Sequence, residues 1–204
     1  MRLVRLVLLP ALALALLLAV PGAAAARKPC TRAGKTVAKN RYVRVYRVPG
    51  DEGTALRACN RRTRKSAELA SAFDDGYVLS EDYRSVRLAR RFAAVVDDHT
   101  DVSCKADCPP DYEPTTTTIR VYDARANKVR VLGAGNGLSA LVLTVRGAVA
   151  WAEGRKGEAV TIRAHDGAGT RVLDSGAIDP ESLGVELTIV SWTKDGEERF
   201  ARLR

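Results

Sequence analysis

Three short stretches of this chain alternate apolar and polar positions in almost the same order: Ala55-Leu56-Arg57-Ala58-Cys59-Asn60, Thr118-Ile119-Arg120-Val121-Tyr122-Asp123 and Thr161-Ile162-Arg163-Ala164-His165-Asp166. Alternation with a period of two marks a half-buried β-strand, and the Asn or Asp that closes each stretch favours a turn. A more continuously apolar run precedes each copy: Val43-Arg44-Val45-Tyr46, Ala93-Ala94-Val95-Val96-Asp97-Asp98 and Ala148-Val149-Ala150-Trp151-Ala152-Glu153. Val45 stands 12 residues before Arg57 and Trp151 stands 12 before Arg163, so the first and third copies predict hairpins of one length. Val96 lies 24 residues before Arg120, which gives the second copy 12 extra residues. Ile189-Val190-Ser191-Trp192-Thr193-Lys194 matches the Trp151 run at an offset of 41, and an Asp195-Gly196 turn leads from it to a last strand over 198–203. That is a fourth, incomplete copy.

Flanking strands complete each unit. Residues 138–145 precede the Trp151 hairpin and 170–173 follow it; 85–89 and 183–187 take the first position in their copies, and 65–69 and 128–132 the last. Four short antiparallel strands in about 43 residues form one unit, and the chain holds about 3.5 to 4 of them. No long apolar segment of period 3.6 follows residue 26, so the expected class is all-β.

Four-stranded units of this length have the dimensions of a β-propeller blade. The aromatic inner strands (Trp151, Trp192) and the strands ending at an acidic turn (Asp123, Asp166) resemble the propeller repeats of exported bacterial proteins of the TolB or tryptophan-aspartate type, from about Arg41 to the C-terminus. The Gly-His and Trp-Asp dipeptides of the latter family are absent. The resemblance implies a small or partial propeller, with an N-terminal strand available to complete the C-terminal blade. It also implies a binding scaffold more readily than an enzyme.

The N-terminus reads differently. Arg2 and Arg5 precede an apolar run over 6–20, and Pro21-Gly22 leads to Ala24-Ala25-Ala26 before Arg27. This is the order of a signal for the general secretory route, and the run is short for a bilayer that needs about 20 apolar residues. The expected organisation is a signal peptide over 1–26, an arm over 27–40 and a repeat domain over 41–204, in the secreted or cell-envelope space without a stable membrane anchor. Charge is uneven along the remainder: 17 Lys and Arg face 7 Asp and Glu over 27–92, against 14 and 17 over 93–204. A basic half on an exported protein suits a protein partner or an anionic envelope polymer, and the compartment argues against nucleic acid.

Four cysteines in an exported chain predict two disulfides with three possible pairings, of which Cys30 with Cys59 and Cys104 with Cys108 is favoured, since the latter two share one insertion and the former tie down the N-terminal arm. The second pair falls in the 12-residue insertion, where Asp97, Asp98, His99, Asp101, Asp107 and Asp111 gather as a candidate binding loop. A metal is not expected there, because zinc would need reduced thiols and the Asp spacing follows no calcium loop. No cofactor is expected either. Gly133-Ala134-Gly135-Asn136-Gly137 precedes a strand and not a helix, so it reads as a turn and not as a phosphate cradle. No G-x-S-x-G segment occurs, and His165-Asp166 occupies a repeat position, which makes it structural.

The leading functional expectation is therefore an exported, non-enzymatic binding or scaffold module. The alternative is a hydrolase or lyase acting on polysaccharide, with carboxylates drawn from residues 74–82 and 97–111. Export makes a direct prediction. Material recovered outside a host that expresses the full chain should begin close to Arg27 on N-terminal sequencing; intact Met1 in the membrane fraction would refute it.

Overall fold

The computed structural model describes residues 29–50, 53–74, 78–80, 83–101, 115–135 and 137–204. The expected signal segment 1–26 and the Cys104–Cys108 pair lie outside the described residues. Every element described is a strand, and every strand pairing is antiparallel. The first unit comprises β1 (Lys35–Lys39), β2 (Val43–Pro49), β3 (Gly53–Asn60) and β4 (Ser66–Asp74). After a short β5 (Val78–Ser80), the second comprises β6 (Arg84–Ala89), β7 (Phe92–Asp101), β8 (Thr115–Asp123) and β9 (Lys128–Ala134). The third comprises β10 (Leu138–Leu143), β11 (Val149–Glu153), β12 (Val160–Asp166) and β13 (Gly169–Gly176); the fourth has three strands, β14 (Ile178–Glu186), β15 (Ile189–Lys194) and β16 (Glu197–Arg202). The chain is thus all-β, built of four-stranded antiparallel units in a partial, propeller-like arrangement.

The register shows why the sequence repeats. Tyr46 lies opposite Arg57, Val95 opposite Arg120, Trp151 opposite Arg163 and Trp192 opposite Arg199, so each unit sets an arginine on its third strand against an apolar residue on its second. The turn that follows the third strand is closed by a side chain. Asn60 Oδ1 accepts from the amides of Arg62 and Thr63 at 2.9 and 3.0 Å, Asp123 Oδ1 from Arg125 at 2.8 Å, and Asp166 Oδ1 from Ala168 at 2.9 Å. These are Asx turns, in which a short acceptor satisfies backbone donors that the bend would leave unpaired. Where the second copy carries its 12 extra residues, the described chain is strand on both sides. β7 and β8 remain paired out to Thr100 opposite Thr115, and β5 pairs with the far half of β7 on one side and with β4 on the other. β5 thereby joins the first two units into one nine-stranded sheet.

Packing follows from strands buried on both faces. Ala93 and Val95 point into a core shared with Val43, Val45, Leu56 and Leu69 of the first unit, while Phe92, Ala94 and Val96 point the other way, toward Leu141, Val149 and Trp151 of the third. In β11, Val149 and Trp151 face the second unit, and Ala150 and Ala152 face Ile178, Val190 and Trp192 of the fourth. A strand covered on both sides must be apolar at successive positions, which accounts for the continuous runs at 92–96 and 148–152. Three core layers therefore hold the four units in chain order. Units one and four share no core layer among the described residues, so the stack is open.

An open stack leaves two terminal faces. The face of the first unit is covered by residues 29–34, fastened by the Cys30–Cys59 disulfide with its Cα atoms 5.8 Å apart. Beneath this segment lies the buried Arg44. Its Nη1 donates to the Cys30 and Ala33 carbonyls at 2.7 and 2.6 Å, Nη2 to Gly34 at 2.9 Å and Nε to Thr36 Oγ1 at 2.8 Å, with the guanidinium 4.7 Å from the Tyr46 ring centroid. The strand expected to complete the C-terminal unit instead pairs at home: β1, inside segment 27–40, runs antiparallel to β2. Among the described residues the fourth unit keeps three strands. Because the disulfide closes a 29-residue separation, replacing both Cys30 and Cys59 by Ala should cost about 3–4 kcal/mol. Calorimetry should then show a melting temperature lower by about 10 °C.

Candidate functional site

Asp97, Asp98 and His99 stand in β7 and not in the expected loop, and all three have partners. Asp97 is fully buried; its Oδ2 lies 2.8 Å from Arg120 Nε and 3.0 Å from His99 Nε2. Two residues past Val95, it holds the place that Glu153 holds two past Trp151, and Glu153 meets the repeat arginine Arg163 at 2.8 Å in the same way. Asp98 points to the opposite face. There Arg84 forks onto it at 2.5 and 3.1 Å, Thr117 Oγ1 donates at 2.7 Å, and Arg84 Nη1 reaches the Leu138 carbonyl of the third unit at 3.2 Å. Neighbouring residues on a strand face opposite sides of the sheet, so Asp97 and Asp98 cannot flank one scissile bond. The side chain of Asp101 and the residues Asp107 and Asp111 lie outside the described residues, as do residues 75–77 and 81–82 of the acidic 74–82 segment.

Other carboxylates fasten the units in a similar manner. Burial pushes the Glu153 carboxyl upward, but bonds from Trp151 Nε1, the Gly135 amide and Arg163 outweigh it and hold the group below its usual range. Asp174 is lowered chiefly by Lys194, at 2.8 Å, with Trp192 Nε1 adding a bond at 3.0 Å. Each repeat tryptophan thus finds a carboxylate for its indole N–H, as a buried indole requires. Asp166 is lowered furthest. Arg171 grips both oxygens at 2.7 and 3.0 Å, and the Arg204 amide donates to Oδ2 at 2.9 Å, which ties the C-terminus to the third unit. His165 bonds Thr170 Oγ1 at 2.8 Å and is lowered by burial and then by Arg130, so it serves the same hairpin.

A different constellation gathers where the turns of units one and two meet. Two asparagines build it. Asn40 Oδ1 accepts from the amides of Tyr42 and Val43 at 2.8 and 2.9 Å while its Nδ2 donates to the Arg90 carbonyl at 2.8 Å. Asn60 closes its own Asx turn and donates from Nδ2 to the Ala124 carbonyl at 2.5 Å. Each asparagine therefore fixes a turn of unit one and pins it to the matching turn of unit two. Between them opens a pocket of about 440 Å³ lined by Arg41, Tyr42, Arg62, Arg91 and Arg125. Arg91 is shared with Asp123 at 3.0 Å, and Arg41 lies 4.6 Å from the Tyr42 ring centroid. Arg62 and Arg125 are exposed and meet no carboxylate among the described residues. Nearby, burial lifts the Tyr122 hydroxyl to about 12, against a contact with the Asn60 backbone that lowers it, so this phenol stays neutral and adds no negative charge. The pocket and the Thr100–Thr115 end of the β7–β8 pair lie at opposite ends of the strands, because successive antiparallel connections alternate between ends.

Compared with known proteins, the chain matches no family model and no curated protein. It is similar to a solved structure of Pyrococcus horikoshii acylaminoacyl peptidase, with a TM-score of 0.43 and 10% identity over 78% of this chain and 28% of that one. The chain thus spans under a third of that protein's length.

The asparagine bridges and the arginine pocket escape a reading of strands alone. Their available signal is the placement of basic residues at the turns: Arg61-Arg62 directly after Asn60, and Arg125 two after Asp123. The carboxylates yield a prediction of their own. For Glu153, Asp166 and Asp174 the folded pKa lies below the unfolded one, near 4, so their stabilisation is complete above that pH and lost as the pH falls below it. The melting temperature should stay level from about pH 8 to pH 7, decline slightly below about pH 6.5 as the unfolded state protonates His165, whose folded pKa is lowered, and fall more steeply below about pH 4. Asp166→Asn should cost about 2–3 kcal/mol at neutral pH, less than for a fully buried pair because Arg171 reaches solvent, and should flatten part of that acid slope.

Proposed function

We propose that this chain is an exported, non-enzymatic binding module that takes an anionic polymer at the arginine pocket between its first two units. The observation that carries the reading is the contrast in how charge is used. Asp97, Asp98, Asp123, Glu153, Asp166 and Asp174 are each committed to a basic partner inside the scaffold, whereas Arg62 and Arg125 have no acidic partner among the described residues and line a pocket with a tyrosine wall. Guanidinium forks match phosphate and carboxylate oxygens in pairs, and they lose little freedom when their backbone is already fixed. Asn40 and Asn60 provide that fixation here. The Cys30–Cys59 disulfide agrees with an oxidising compartment, and among the described residues no helix is long and apolar enough to cross a membrane.

Polyphosphate and poly-glutamate of matched length serve as probes. The chain should bind at least one of them with an affinity that falls steeply with salt. The double variant Arg62→Glu/Arg125→Glu should weaken binding about tenfold or more, from two reversed charges at a partly enclosed site. Arg155→Glu, exposed at the other end of the strands, should leave binding nearly unchanged. Equal loss in both variants would show only diffuse attraction to net positive charge and would overturn the pocket reading.

A further inference from the structure

We propose that the open edge of β16 pairs antiparallel with β16 of a second copy of this chain, joining two C-terminal sheets across a two-fold axis at Phe200. In units one to three the third strand is covered on its outer side by a fourth: β3 by β4, β8 by β9, β12 by β13. In unit four the third strand, β16, pairs only with β15 among the described residues, and its outer edge carries none.

The backbone of that edge is set for pairing. The Leu203 amide donates to the Thr188 carbonyl at 2.8 Å, and the register continues as Ala201 opposite Val190 and Arg199 opposite Trp192. Polar backbone groups alternate in direction along a strand, so the odd-numbered residues turn theirs toward β15, while Glu198, Phe200 and Arg202 turn theirs to the open side.

The side chains of the same three residues share one face. Ala201 and Leu203 pack against the core with Val190 and Trp192, so Glu198, Phe200 and Arg202 lie on the outer face, where Phe200 is 62% exposed. A two-fold axis perpendicular to the sheet at Phe200 is the arrangement that keeps both faces and both backbone patterns matched. It sets Phe200 opposite its copy, Glu198 opposite Arg202 and Arg202 opposite Glu198. Each opposed pair exchanges both of its backbone hydrogen bonds, and the flanking charges are of opposite sign in both places. Charged residues on an edge ordinarily keep strands from joining by repulsion. Here the order Glu, Phe, Arg is complementary to itself when reversed, so that defence acts against other strands and not against a second copy.

The interface is independent of the arginine pocket and is read without any ligand. Sedimentation of the exported chain from about 1 μM to about 1 mM, the range in which small interfaces associate, should show a monomer–dimer equilibrium. Glu198→Arg and Arg202→Glu each place like charges in contact twice per dimer and should raise the dissociation constant about tenfold or more. The double exchange Glu198→Arg/Arg202→Glu restores opposite charges and should return the constant to within about threefold of the parent. Phe200→Ser should weaken the dimer while leaving the melting temperature nearly unchanged, which separates lost association from lost folding. A parent chain that stays monomeric throughout, single reversals that dimerise as the parent does, or a folded double exchange that fails to recover would each overturn the proposal.

Discussion

The structure depends on one constraint: a strand buried on both faces needs a sheet on each side of it. Ala93 and Val95 look back to the first unit while Ala94 and Val96 look forward to the third, and β11 repeats the arrangement one step later. Each inner sheet is stable only as the filling between two others, so the units cannot be independent domains despite their similar sequences. Alanines alternate with larger residues in the inner strands, and Trp151 and Tyr122 are the largest fully buried side chains among the described residues. The terminal faces then become the unsolved part of the packing. At the first, a disulfide and a four-bonded arginine hold a covering segment in place. At the other, Ile189 and Phe200 stand exposed on an outer face with no equivalent cover among the described residues.

Much of this was legible because period-two patterns survive in the sequence wherever one face differs from the other. The hairpin between Trp151 and Arg163 falls in register as its 12-residue spacing implies, and the Val45 to Arg57 spacing is one residue out because Val45 pairs with Ala58. The Cys30–Cys59 pairing followed from the closing of a loose arm. What the pattern hid was the role of β1, whose residues are exposed at nearly every position and carry no core-facing stripe to announce a strand. It also hid the fourth repeat arginine: Arg199 lies on an exposed edge strand, where the apolar half of the alternation is gone. Residues 97–100 read as the start of a loop because Asp97 to Thr100 are polar. They continue the strand because each finds a cross-strand partner and, for the two acids, an arginine.

The arginines explain why charge alone was a poor guide to the site. The same residue type is used in two ways. On the third strands of units two and three it lies against a carboxylate from the neighbouring strand, Arg120 with Asp97 and Arg163 with Glu153. At the turns of units one and two, Arg62 and Arg125 are instead exposed, with no carboxylate partner among the described residues. A net count over residues 27–92 adds both kinds together and so cannot distinguish scaffold from surface. The distinction comes from the register: for Arg120 and Arg163 the pleat places an acid on the neighbouring strand, and for the turn residues Arg62 and Arg125 it places none among the described residues.

The turn positions also differ from an ordinary basic surface in their rigidity. Long side chains on a mobile loop give up backbone and rotamer freedom together when they bind, and much of their interaction energy is lost in ordering them. At the arginine pocket the backbone component is already fixed, because Asn40 and Asn60 each tie two turns together through both their acceptor and their donor atoms. An aspartate at either place would keep the acceptor half, as Asp123 does within its own unit, but would lose the N–H that reaches the next one. The choice of asparagine at these two turns is therefore what converts separate hairpin ends into one pocket, and it couples the geometry of that pocket to the same inter-unit contacts that close the core beneath it.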